Sequence, residues 1–283
     1  MSSALLGIIA AVCWGIHDLL AGIASRAIGQ MRTTVAVTVF GFIAITAWLA
    51  LQDGLPAFKI DTGWIALLSG AGIALATLWL FAAMANGPLS LALPVVMTYP
   101  ATSLALAAIA GRPPTAVQVF LALVIIAGVV AVAISGAKDG EGRGATRTCI
   151  GYALLSHASF AIANALGQHA AAIIGAAAAT WLSRLGGLAL ILPLFVFGGS
   201  SKTVPPRWLP VLALMGVLDV FALLLINHAG TLPYPEIAIV GASSAVVVTV
   251  IMARMFLAER IRPLRWAGIA AAAGGVALLA VYK

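Results

Sequence analysis

The sequence predicts an all-α polytopic membrane protein, with ten transmembrane helices in two inverted five-helix repeats. Three observations carry this fold class: composition, the count of apolar windows, and a sparse internal repeat. Of 283 residues, 63% are hydrophobic and 8% charged, with a mean hydropathy of +1.14. Soluble domains carry about 25% charged residues, so this chain has too few to cover a surface facing water. A spanning helix needs about 20 mostly apolar residues. Ten such windows lie at 4–25, 33–52, 63–85, 89–110, 115–135, 149–170, 178–198, 208–228, 234–256 and 264–282. The connections between them are short and leave no room for a soluble domain.

The repeat divides the ten windows in two. Gly7 aligns with Gly151, Trp64 with Trp208, Gly72 with Gly216 and Leu80 with Leu224, all 144 apart. After a slip of three, Gly128 aligns with Gly275, Val129 with Val276 and Ala133 with Ala280. Residues 1–135 form the first repeat, 136–148 a linker and 149–283 the second. Five spans is an odd number, so the second copy enters the membrane inverted. That architecture is common in secondary transporters, with the substrate held between the halves near mid-membrane.

Each element has its own signature. The first window, Leu-Leu-Gly-Ile-Ile-Ala-Ala-Val-Cys-Trp-Gly, lacks a basic stretch ahead of it and is long for a cleaved signal, so it reads as a retained helix. Within it Trp14, His17 and Asp18 follow an i, i+3, i+4 spacing and share one face. Ionisable groups at membrane depth cost about 2.5–3.5 kcal/mol on insertion scales and face protein or water. Asp18 therefore demands a partner or a proton. The bland alternatives are an interfacial belt role for Trp14 and a helix-to-helix hydrogen bond for His17. The third window carries Trp79 and Asn86. In the fourth, Pro94 and Pro100 bracket Met97, Thr98 and Tyr99, which predicts a kink near its middle, with a purely structural bend as the alternative. Gly136 to Thr148 alternates glycine with charge and reads as a flexible linker. The sixth window places His157, Phe160, Asn164 and Gln168 on one face. The eighth contributes Asp219, then Asn227 and His228. The ninth has Gly241, Ser243 and Ser244 where the fourth has prolines. Trp64, Trp208 and Trp266 stand at helix starts as interface anchors.

Charge sets the expected orientation. The formal charge of +7 sits at helix ends, which points to the cytoplasmic bias of Lys and Arg rather than to nucleic acid. Odd-numbered connections hold eleven basic residues (Arg26, Arg32, Lys138, Arg143, Arg147, Lys202, Arg207, Arg254, Arg260, Arg262 and Arg265). The other side holds four: Lys59, Arg112, Arg184 and Lys283. The odd connections are thus expected in the cytoplasm and both termini on the periplasmic side of a bacterial inner membrane. Cys13 and Cys149 lie in the first and sixth spans as small space-fillers, with no disulfide expected.

With Trp14-Gly15 closing the first motif, Met-Phe-Leu-Ala-Glu-Arg around Glu259, and a Gly-rich last span ending Gly-Gly-Val-Ala-Leu-Leu, the chain resembles the EamA-type drug/metabolite transporters. The resemblance covers the whole chain and is nearest to bacterial aromatic amino-acid exporters of the YddG kind. The family's repeat-ending glutamate matches Glu259; in the first half Arg112 stands at the aligned position. The resemblance implies export of small metabolites, amino acids especially, by alternating access. An amphoteric aromatic substrate would want an apolar, aromatic-lined cavity with a few donors and acceptors. Trp14, Trp79, Tyr99 and Phe160 would stack on a ring, while His17, His157, Asn164 and Ser244 would hold polar ends. Asp18, Asp219 or a histidine would carry a coupling proton, if there is one.

Two other classes stay open. An enzyme would need a tight constellation, and the chain has no His-Glu-x-x-His, Gly-x-Ser-x-Gly, metal-spaced cysteine pair or phosphate loop. His17 and Asp18 make a weak pair on this reading, because helix neighbours point about 100° apart. No enzyme activity, metal or cofactor is expected. A multidrug or organic-cation exporter would use Asp18 or Asp219 against a positive ligand. The expected partners are a small-molecule substrate and the lipid bilayer.

Overall fold

In the computed structural model the described residues are 2–52, 54, 60–87, 89–97, 99–109, 111, 113–136, 143–199, 203–256 and 263–281. Among them the chain is all helical. The first half holds α1 (Ser3–Ile28), α2 (Gln30–Leu51), α3 (Ile60–Asn86), α4 (Leu89–Val96), α5 (Tyr99–Ile109) and α6 (Ala116–Gly136). The second holds α7 (Arg143–Ile174), α8 (Ala176–Phe197), α9 (Leu209–Ala229), α10 (Pro235–Ala242), α11 (Ala245–Phe256) and α12 (Pro263–Val281), with a 3-10 turn over Pro206–Trp208 before α9. Among the described residues, six helical stretches are long and apolar enough to cross a membrane: Ser3–Ile28, Gln30–Leu51, Gly63–Asn86, Arg147–Ile174, Ala176–Phe197 and Pro206–Ala229. Large apolar side chains also point outward from the bundle, among them Val12, Ile43, Leu68, Phe120, Leu154 and Val217. Helices apolar on their outer faces as well as their inner ones belong in lipid. The chain is a multi-pass membrane protein.

The fourth and ninth windows are each broken into two helices. α4 gives way to α5 after Val96, and α10 gives way to α11 at Ser243 and Ser244. Met97 and Ser244 are 147 apart, the same offset as Gly128 and Gly275, so the two breaks fall at one place in the repeat. The second break uses no proline. Ser243 Oγ donates to Val240 O and Ser244 Oγ to Gly241 O, both at 2.7 Å, so hydroxyls compete with the helix for its carbonyls.

Directions follow from the contacts. Along α1 and α3, Arg26 Nε donates to Met84 O at 3.1 Å and His17 lies on Phe81, so these two helices run parallel. Along α3 and α7, Ser69 Oγ donates to Ala163 O at 2.7 Å and Ser156 Oγ to Ala76 O at 2.8 Å, an antiparallel register. α1 and α7, the first helices of the two halves, therefore run in opposite directions. Contacts also cross between halves in matched sets. α3 packs on α7 and α8, while α9 packs on α1 and α2; α1 meets α10 and α11, while α7 meets α4 and α5; α6 meets α12. Exchanging each helix for its counterpart maps this pattern onto itself.

Glycine permits the closest seams, as expected where lipid offers helices no hydrophobic drive to associate. A Cβ on Gly70 would overlap the Ser183 carbonyl of α8, and one on Gly186 would overlap the Leu67 carbonyl of α3. Gly7 meets the Ala238 backbone in the same way, yet its repeat partner Gly151 has open space around it. Single glycines join α1 to α2 and α7 to α8: Gly29 at φ 90°, ψ 146° and Gly175 at φ 84°, ψ 151°.

Two expectations change on this structure, and others fall outside it. The stretch 136–148 is helical from Arg143 onward, because α7 begins there, and 137–142 lie outside the described residues. Arg184 is not a residue of a membrane-facing end; it is buried within α8. Glu259, Arg112, Lys138, Lys202, Arg260, Arg262 and Lys283 lie outside the described residues.

Candidate functional site

Among the described residues, an inner chamber and an outer vestibule lie between the halves. The inner chamber is lined by Trp14, His17 and Asp18 of α1, by Ile73, Thr77 and Leu80 of α3, by Met97 and Tyr99 at the first break, by Phe160 of α7, and by Asp219 and Leu223 of α9. Its free volume is only ≈ 30 Å³, room for about one water. The outer vestibule is far larger, ≈ 570 Å³, and lies among α5, α7 and α10. Its walls include Ser103, Leu106, Ala165, Gln168, His169 and Glu236. On α5 the vestibule residues begin one turn beyond Tyr99, and on α7 they begin at Ile162, just beyond Phe160. The Tyr99 and Phe160 rings lie 6.1 Å apart between centroids. This aromatic contact stands between the chamber residues and the first vestibule residues of both helices.

The chamber wall holds the buried charge. Asp219 receives two helices at once: Trp14 Nε1 donates to Oδ1 at 3.0 Å, and Arg184 Nη1 lies 2.8 Å from Oδ2. His17 Nδ1 lies 3.1 Å from Asp18 Oδ1, and His17, Asp18 and Arg184 are each 3% exposed. The contact uses Nδ1, the ring nitrogen nearer the backbone, so the 100° divergence of helix neighbours costs little reach. Several buried atoms in and behind this wall lack hydrogen-bond partners, namely His17 Nε2, Asp18 Oδ2 and Arg184 Nε and Nη2. Buried charge is retained only where it is paired or used.

The sequence-derived residues divide. Trp14, His17, Asp18, Tyr99, Phe160 and Asp219 come together around the chamber. Trp79 is half-buried on α3, off the Ile73–Thr77–Leu80 face that lines it. His157 stands beyond the wall, with Nε2 2.9 Å from Thr102 Oγ1, tying α7 to α5 beside the break. Asn164 is 1% exposed, one turn beyond Phe160, and neither amide atom has a hydrogen-bond partner. The Ser244 hydroxyl is spent on Gly241 O, away from the chamber.

Arg184 is the residue that sequence reading misplaced. Charge counting put it at a helix end, although it stands well inside the window 178–198 with Gly186 and Gly187 after it. The signal was available in the unpartnered Asp219 at mid-span of another helix, because a buried carboxylate calls for a buried cation.

A bundle apolar on its outside, with helices of opposed direction, broken spans and a charged chamber between its halves, defines a membrane transporter. Residues 1–134 and 147–281 match the EamA-like transporter family, and the chain belongs to it. It is thus a multi-pass transporter of the drug/metabolite superfamily. A crystal structure described only as that of a protein has the same fold, with a TM-score of 0.74 at 17% identity over 99% of this chain and 98% of that one. No curated protein matches the sequence.

Proposed function

We propose that this transporter exports amino acids, aromatic ones included, from the cytoplasm across a bacterial inner membrane. It would cross ten times and work by alternating access around the inner chamber. The single observation that carries the reading is the make-up of the chamber wall. Trp14, Tyr99 and Phe160 offer aromatic surface, the same wall carries the carboxylates of Asp18 and Asp219, and the Arg184 guanidinium stands behind it, paired with Asp219. Aromatic faces contribute stacking of about 0.5–1.5 kcal/mol each, weak enough for a carrier that must release its cargo. His17 and Asp18 are the wall groups able to take a coupling proton. In proteoliposomes loaded with phenylalanine, counterflow of labelled phenylalanine is expected, and Tyr99→Ala should slow it severalfold. No counterflow of any amino acid by a folded protein would refute the reading.

A second reading rests on one observation. Asp18 Oδ2 lacks a partner, and of the two carboxylates lining the chamber Arg184 pairs only with Asp219. That excess suits an organic cation, and counterflow of a quaternary ammonium without amino-acid counterflow would establish it.

The proposed orientation puts the 136–148 segment in the cytoplasm and both termini outside. The basic residues Arg26 and Arg32 gather at one end, where Arg26 Nη2 donates to Gly87 O at 2.9 Å and Arg32 Nη1 to Thr203 O at 3.0 Å. A cysteine introduced at Gly144 should resist an impermeant thiol reagent in intact cells and react after permeabilisation. Labelling before permeabilisation reverses the orientation.

A further inference from the structure

Arg184 presents two edges. Nη1 is held by Asp219 at 2.8 Å, while Nε and Nη2, the side-on edge of the fork, have no hydrogen-bond partner in a site 3% exposed. That guanidinium lines a slot of ≈ 10 Å³ with Thr38, Gly70, Thr77, Ser183 and Gly187. The slot and the inner chamber share Ile73 and Thr77 as a common wall. Small residues line it, and the Ser183 hydroxyl in it also lacks a partner. On the chamber side, Asp18 Oδ2 is the unpaired acceptor. Donors without acceptors thus line the slot, and an acceptor without a donor lines the chamber that shares Ile73 and Thr77 with it.

We infer that slot and chamber form one two-part site for a zwitterionic α-amino acid: Arg184 takes the carboxylate side-on, Asp18 takes the ammonium, and the aromatic wall takes the side chain. The inference rests on the amino-acid reading above and narrows it to recognition of both charged ends. A planar fork with two parallel N–H donors matches a carboxylate bidentately, which a lysine does not. Asp219 holds the guanidinium from its other edge and is a positioning residue. An amine alone leaves the Arg184 edge unsatisfied, and a carboxylic acid alone leaves Asp18 unsatisfied while facing two carboxylates. Sites with buried polar groups reject analogues that leave those groups unpaired far more strongly than they reject a change of one methylene.

The test is counterflow of labelled phenylalanine in proteoliposomes, with phenethylamine and 3-phenylpropionate as competitors. Wild-type protein should require at least tenfold more of either analogue than of phenylalanine for equal inhibition. Arg184→Lys should lower the ratio of phenylalanine to phenethylamine transport at least tenfold, and so should Arg184→Gln combined with Asp219→Asn. Equal competition by phenethylamine in wild-type protein, or an unchanged ratio in the variants, overturns the two-part site and leaves amino-acid export standing. Carriage of phenethylamine without phenylalanine by wild-type protein overturns both. The wild-type competition series decides the matter even where a variant fails to fold.

Discussion

Asp219→Ala should be among the most damaging single changes in this protein. It leaves the Arg184 guanidinium buried without its counter-ion and removes the acceptor of the Trp14 indole. Breaking a buried pair from one side costs about 3–5 kcal/mol, because the surviving charge keeps its desolvation penalty and loses its compensation. The double change Arg184→Gln with Asp219→Asn removes both charges and keeps polar groups in register. It should recover most of the thermal stability of the detergent-purified protein. A melting temperature for Asp219→Ala equal to that of wild type would show that water or another anion reaches Arg184, and that the wall is not dry. The pair also links α8 to α9 within the second half while the indole links α1 to α9 across the halves, so the single change loosens both kinds of contact.

Gly70→Leu should abolish the folded protein. The added side chain begins where the Ser183 carbonyl already lies, so it meets backbone rather than a side-chain end that could swing away. Ordinary overpacking costs about 1–3 kcal/mol; forcing α3 from α8 exceeds that, since Gly186 seats against Leu67 on the same seam. Gly151→Leu is the control, with open space around an exposed position that faces outward from α7. Monodispersity on size exclusion and yield after purification read both. A well-behaved Gly70→Leu protein would mean that α3 and α8 are not held at this distance.

The helical class was legible because lipid demands it: unbroken apolar windows give little room for another reading. The chamber was half legible. Trp14, His17, Asp18 and Phe160 announced themselves by sharing helical faces, and Tyr99 by standing beside a break. Asp219 was visible as a lone mid-span charge. The rest depended on information that periodicity does not carry. Ile73, Thr77 and Leu80 line the chamber yet look like any lipid-facing stretch, and Trp79 was chosen over them because it is aromatic. Ser244 looked available as a hydroxyl, but a serine in a broken helix finds its own backbone first. Arg184 was read as a topological marker because counting charges by side ignores which of them have a buried partner. The second break, at Ser243 and Ser244, lacks the proline that marks the first.

The one-residue joints at Gly29 and Gly175 restrict how this machine is able to move. Both hold a backbone conformation in the region reserved for glycine, and neither leaves slack for one helix to slide along its neighbour. α1 with α2, and α7 with α8, are therefore closely tied hairpins, two bars joined at one end. Any rearrangement that widens a ≈ 30 Å³ chamber enough for a cargo must come from elsewhere. The breaks at Met97 and at Ser243–Ser244 are places where a span is already interrupted. They fall at matching places in the two halves, so a swing of one half-helix has a mirror in the other, and the bars would serve as the fixed frame about which both swing.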